Sequence, residues 1–126
     1  MLFRSVGAGG KVAGPTHLAG GSANAALMLA SAGLAAAYGP RGVRVNVVNP
    51  GLTLTDRLQE GLAADARLQG RSAEEILKSQ QQRMPLRRIA TPQEIANAVV
   101  FLASDRASYI SGAIVAMDGA ASPIVV

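Results

Sequence analysis

An α/β fold on a parallel sheet is what this sequence predicts, and three observations carry the prediction. Short β-branched runs with little polar relief stand at residues 43–48 and 113–117, as expected of strands covered on both faces. Helical segments precede, separate and flank them. Cap and turn residues mark the junctions, among them Gly39-Pro40, Pro50-Gly51, Thr91-Pro92 and Asp118-Gly119. Two buried strands cannot make a stable sheet alone, so the sequence reads as part of a larger α/β domain.

Composition narrows the function classes. The chain has 126 residues, 49% of them hydrophobic, which is about one domain with material for a core. Its 12 Lys and Arg exceed its 8 Asp and Glu, but they are scattered, and aromatics make up only 3%. A nucleic-acid surface would cluster its charge and interleave stacking platforms, so a solvated basic face is expected instead. With no cysteine, disulfides, thiolate metal sites and cysteine nucleophiles are excluded. The lone histidine, His17, has no second ligand type nearby, so no metal site is expected. No signal peptide is seen at the N-terminus, and a cytoplasmic location is expected.

The elements follow in order. Residues 1–21 are glycine-rich and aperiodic, which predicts a loop. Residues 22–38 are dominated by strong helix formers, with Ser22 as candidate N-cap and Gly39-Pro40 as the stop. Their small side chains run round the helix, which predicts burial on more than one face. This apolar stretch is mostly Ala and Gly and falls short of the roughly 20 strongly apolar residues a bilayer needs, so no membrane span is expected.

A strand is expected over 43–49, then a loop over 50–55. Residues 56–90 read as a polar region with helices near 56–68 and 72–82, the second opened by a capping box at Ser72 and Glu75. Thr91-Pro92-Gln93-Glu94 is a further box and predicts a helix over 92–104. The last strand is expected over 113–117.

Chemistry is expected outside the C-terminal end of the 43–49 strand, where open α/β sheets place their ligands. Gly51 has no side chain to block close approach, and Thr53 and Thr55 bring hydroxyls. Two readings stand here: a ligand loop, and a tight turn whose Thr55 caps the next helix.

Three stretches in one order weigh on that choice. The helix before residue 39, "YGPRGVRVNVVNPGLTLTD" and "MPLRRIATPQEIANAVVFLASDRASYISGAIVAMDG" resemble the C-terminal half of the short-chain dehydrogenase/reductase family, over about residues 20–119. The resemblance implies the C-terminal portion of a Rossmann-type doubly wound parallel sheet, with residues 43–49 as its sixth strand. It implies an NAD- or NADP-dependent oxidoreductase acting on the carbonyl or alcohol group of a small molecule. Pro50, Gly51 and the following amides of Leu52 and Thr53 would hold the nicotinamide carboxamide, and Thr55 the carboxamide or the pyrophosphate. Residues 56–90 would form the substrate lid. A homo-oligomer is implied, with the 22–38 helix and the last strand at subunit contacts.

The family's dinucleotide fingerprint belongs to an N-terminal half that has no counterpart in these residues. Its catalytic Tyr and Lys, four residues apart, fall on Gly20 and Asn24. Glycine offers no acid, and Asn24 can hydrogen-bond a ribose hydroxyl but brings no charge to depress a neighbour's pKa. The family's serine falls on Gly7, and Ser5 would serve with a small insertion. Ser5 and Asn24 are therefore the candidate catalytic residues, while Tyr38 and Tyr109 are expected to be packing residues. The alternative is a catalytically silent member that binds a nucleotide or assembles with subunits.

Overall fold

The computed structural model describes residues 2–5, 11 and 18–123. Three parallel strands form one sheet in the order β1-β2-β3, namely β1 (Leu2–Ser5), β2 (Val45–Pro50) and β3 (Ile114–Met117). Ser5 pairs with Val48 and Pro50 with Met117. Helix α1 (Leu18–Tyr38) links β1 to β2, and α2 (Asp56–Gln69), α3 (Ala73–Arg83) and α4 (Pro92–Ala103) link β2 to β3.

The centre of the sheet is β2, whose residues from Val45 to Asn49 are all buried. Successive strand side chains point to opposite faces. Val47 meets Met28 of α1, while Val48 meets Leu102 of α4 and Ala107 beyond it. Each such valine contributes roughly 1.5–3 kcal/mol by leaving water. This two-sided cover explains why the strand's sequence lacks polar alternation.

Two expectations about the N-terminal region fail. Leu2–Ser5 is a strand, although residues 1–21 read as loop. Four residues carry too little pattern to compete with the glycines after them, and the pairing that makes the strand comes from distant β2. Helix α1 starts at Leu18 rather than after Ser22, taking Gly20 and Gly21 into its first turn. Each glycine there costs about 1 kcal/mol against alanine. Propagation from a strongly helical segment costs far less than nucleation and carries the helix through them.

At 21 residues α1 is longer than expected, and Leu18–Arg41 is long and apolar enough to cross a membrane by length and composition alone. Here it lies along the sheet. Only a stripe of Met28, Ser31 and Ala35 is buried, so the expected burial on several faces is absent in this single chain. Leu29 is 78% exposed.

Candidate functional site

The β2–α2 loop is organised first by β3. Gly51 N–H donates to the Met117 carbonyl at 3.1 Å. A Cβ at position 51 would stand 2.8 Å from Asp118 Cα, so the absent side chain makes room for the chain after β3. The turn after β3 therefore demands glycine at position 51, whatever the loop receives. Asp118, itself buried, accepts from the Ala120 and Ser122 amides and fixes that turn.

The next residues tie the loop to the start of α4. Leu54 N–H donates to the Ala90 carbonyl at 2.8 Å, and Ala90 N–H to the Leu52 carbonyl at 3.3 Å. Thr53 Oγ1 donates to the Gly51 carbonyl at 3.2 Å, an internal brace. Thr55 is the N-cap of α2, where its Oγ1 accepts from Leu58 N–H. Capping spends an oxygen lone pair and leaves the hydroxyl hydrogen to donate.

After these bonds, the Leu52 and Thr53 amides have no acceptor among the described residues, and neither do the first-turn amides of Asp56 and Arg57. Unspent N–H groups at a helix start carry partial positive charge. The Asp56 carboxylate at the first helical position offsets part of it. The loop thus offers donors suited to a carbonyl or a phosphate oxygen, the acceptors that a nicotinamide carboxamide and a pyrophosphate would bring.

Beside these donors lies a cleft of about 480 Å³ between the loop, α2 and α3. Leu52, Leu58 and Leu62 supply apolar wall, and Arg57, Asp65 and Gln80 supply polar groups. A smaller cavity of about 140 Å³ opens on the other side of Leu52, toward Met84, Met117 and Asp118.

Two buried side-chain oxygens have no hydrogen-bond partner among the described residues, Asn49 Oδ1 and Gln80 Oε1. Asn49 directly precedes Pro50, and Gln80 lines the larger cleft. Neither was singled out from the sequence, because an asparagine in a strand and a glutamine in a polar helix carry no local signal. Buried acceptors without partners are rare in folded proteins, and both of these flank the same loop.

Beyond the loop, Arg88 grips Glu94 with two hydrogen bonds, at 2.8 and 2.6 Å. Glu94 also accepts from Thr91 N–H at 2.8 Å, while Thr91 Oγ1 accepts from Glu94 N–H, the reciprocal box expected from the sequence. The Arg88 side chain foremost, with the Thr91 amide, lowers the Glu94 pKa to about 2.

Gly20 and Asn24 lie half-buried in the first turns of α1. Ser5 closes β1 in register with Val48, but its side chain, like Gly7 and His17, lies outside the described residues. Tyr38 stacks under the Arg41 guanidinium at 5.6 Å, at the far end of α1. Tyr109 is fully exposed rather than packed, contrary to expectation, and follows the turn that carries the chain out of α4. No group of three or more His, Asp or Glu that could hold a metal occurs among the described residues.

This fold and loop define a class. The chain belongs to the short-chain dehydrogenase/reductase family: a family model described as enoyl-(acyl carrier protein) reductase matches residues 4–122. It is 38% identical over 120 residues to 2-(S)-hydroxypropyl-CoM dehydrogenase 3 of Xanthobacter autotrophicus, covering 91% of this chain and 45% of that protein. It is also 38% identical to an A-factor type gamma-butyrolactone 1'-reductase of Streptomyces virginiae, over 88% of this chain and 40% of that one. A short chain dehydrogenase family protein from Francisella tularensis superposes with a TM-score of 0.92 at 30% identity, covering 97% of this chain and 50% of that chain. YwfH, an NADPH dependent reductase, superposes with a TM-score of 0.89 at 28% identity, over 98% of this chain and 47% of its own. The chain thus spans half or less of these relatives' length.

Proposed function

We propose that this chain is the nicotinamide-side half of an NAD(P)-dependent oxidoreductase acting on the carbonyl or alcohol group of a small molecule. The observation that carries the reading is the Pro50–Thr55 loop, which stands at the C-terminal end of β2 with its Leu52 and Thr53 amides without an acceptor among the described residues. Relatives of similar fold include an NADPH dependent reductase and an L-sorbose reductase complexed with NADPH.

In this reading Pro50, Gly51 and the Leu52 and Thr53 amides orient the carboxamide. The Thr55 hydroxyl donates to the carboxamide or the pyrophosphate. A bound nicotinamide cofactor supplies the hydride donor or acceptor. Residues 56–90 cover the substrate and exclude water. Ser5 orients the substrate carbonyl, and Asn24 hydrogen-bonds a ribose hydroxyl without the charge of the family's lysine. Gly20 supplies no proton, so proton transfer is the weak step of this site.

Useful affinity for a dinucleotide requires a second α/β half to hold the adenosine end, since one half-site cannot recover the entropy of fixing the whole molecule. The molecule works as a soluble, cytoplasmic homo-oligomer, with no nucleic acid or membrane as partner. The test joins this chain to a family N-terminal half and measures cofactor binding together with oxidation of the reduced cofactor. Binding with little turnover is expected. Absence of binding would overturn the reading, and rapid turnover would show that another residue supplies the proton.

A further inference from the structure

We propose that the cleft at the N-terminal end of β2, between the α1–β2 and α4–β3 connections, binds a small phosphorylated molecule through Arg44, Ser108 and Ser111. This cleft opens at the other end of β2 from the Pro50–Thr55 loop, and no residue of that loop lines it.

The cleft encloses about 440 Å³, within the ~300–1,000 Å³ typical of small-molecule sites. Gly39, Gly42, Val43 and Arg44 line one side, and Ser108, Tyr109 and Ser111 line the other. A Cβ at Gly39 or Gly42 would meet only open space, so bare backbone leaves the cavity clear there.

The polar lining is one-sided. Arg44 supplies a positive charge, the three residues opposite supply hydroxyls, and no acidic residue lines the cleft. The cleft beside the candidate cofactor loop differs, since Arg57 and Asp65 bring both signs to it. The Arg44 guanidinium donates to the carbonyls of Leu102, Ala103, Ser104 and Ile110, which hold it in place. They do not cancel its full charge, and Arg44 has no ion pair among the described residues, where Arg71 and Arg88 each meet a glutamate. Ser111 Oγ accepts from Val45 N–H at 3.3 Å and keeps its hydrogen to donate. Ser108 is exposed, and the Tyr109 and Ser111 amides have no acceptor among the described residues.

A fixed guanidinium among donors, with no carboxylate competing for it, is complementary to an oxyanion. A phosphate monoester suits it better than a carboxylate, because three acceptor oxygens and a nearly double charge can engage the guanidinium and both serines together. Val43 and the Tyr109 ring supply apolar surface for the attached carbon skeleton.

The test titrates glucose 6-phosphate, glucose and inorganic phosphate into the isotope-labelled chain while the Gly42, Ser108, Tyr109 and Ser111 amides are followed. Glucose 6-phosphate is expected to shift them saturably, with a dissociation constant of about 1 mM or below. Glucose should leave them unmoved, and inorganic phosphate should bind several-fold more weakly. Removing Arg44 would also undo its hold on α4, so the charge is changed at exposed Ser108 instead. Ser108→Asp is expected to weaken glucose 6-phosphate binding about tenfold and Ser108→Lys to tighten it, opposite shifts that a structural role for the serine would not produce. Tyr109→Glu and Tyr109→Lys repeat the comparison if a Ser108 variant does not fold. Shifts that do not saturate, an equal response to glucose, equal affinity for inorganic phosphate, or the same change in both charge variants would overturn the inference.

Discussion

Gly51 and Asp118 approach so closely that a Cβ on the glycine would lie 2.8 Å from the Asp118 Cα and 2.9 Å from its Cβ. The contact joins the two places where the chain leaves the sheet, after β2 and after β3. It therefore fixes the height of the candidate cofactor loop against the strand ends.

Gly51→Ala is expected to force these segments apart, at about 1–3 kcal/mol, the usual scale for overpacking a filled site. Urea denaturation would show a lower midpoint. An unchanged midpoint with unshifted Asp118 and Ala120 amide resonances would mean that the approach is looser than described.

Arg44 forms a second anchor, at the opposite end of β2. Its guanidinium donates to the carbonyls of Leu102 at 2.7 Å, Ser104 at 3.2 Å, Ile110 at 3.3 Å and Ala103 at 3.4 Å. These include carbonyls at the C-terminus of α4 that the helix itself leaves unpaired, where a cation is also favoured by the dipole. Arg44→Met is expected to destabilise the chain by roughly 2–3 kcal/mol, the order of one or two charged hydrogen bonds. Lysine should recover only part of that, since it lacks the planar fork. Thermal denaturation of both variants checks the ranking, and equal melting temperatures for lysine and arginine would contradict it.

The Thr91–Glu94 box has a pH signature. Thr91→Ala is expected to cost ~1 kcal/mol, as for other lost N-cap hydroxyls. Glu94 ionises at about 2 in the folded chain against an ordinary 4.5. A depressed carboxylate stabilises the fold fully above its unfolded pKa, and that contribution disappears as pH falls from about 4.5 through about 2. Glu94→Gln should therefore be less stable than the natural chain at neutral pH and converge with it near pH 2. A stability difference independent of pH across that window would show that the Arg88–Glu94 pair is not the cause.

The two replaced positions on α1 make a kinetic prediction. A tyrosine at position 20 beside a neutral Asn24 would keep a pKa near ~10 and remain a poor acid–base group at neutral pH. In a completed two-half protein, Gly20→Tyr with Asn24→Lys should raise carbonyl reduction far more than the product of the two single changes, because the side chains act as a unit. Multiplicative effects in the four-variant comparison would contradict that.

Much of this was legible in the sequence, and the exceptions share a cause. Cap chemistry is local, so Ser72, Thr91 and Glu94 announced their helices. The buried valines of β2 announced a two-faced strand. Leu2–Ser5 was not legible because its partner lies some 43 residues away, as the Leu2–Val45 pairing shows. The reason for glycine at 51 was equally hidden, since Asp118 reaches it only in the folded chain. Thr55 carried two readings, and its cap bond shows that the structural one is in force without spending the hydroxyl hydrogen. Asn49 and Gln80 became visible only when burial and hydrogen bonding were known together.

The most direct test of the cofactor loop is a titration with nicotinamide mononucleotide, the half of the cofactor this half of the fold would hold. Backbone amide resonances of the labelled chain are followed, with Leu52→Pro as the variant that deletes one of the unspent donors. The Leu52, Thr53 and Thr55 amides are expected to shift saturably in the natural chain, and affinity should drop several-fold in the proline variant. A folded chain whose residues 50–55 do not respond at millimolar mononucleotide would contradict the claim that this loop receives a nicotinamide.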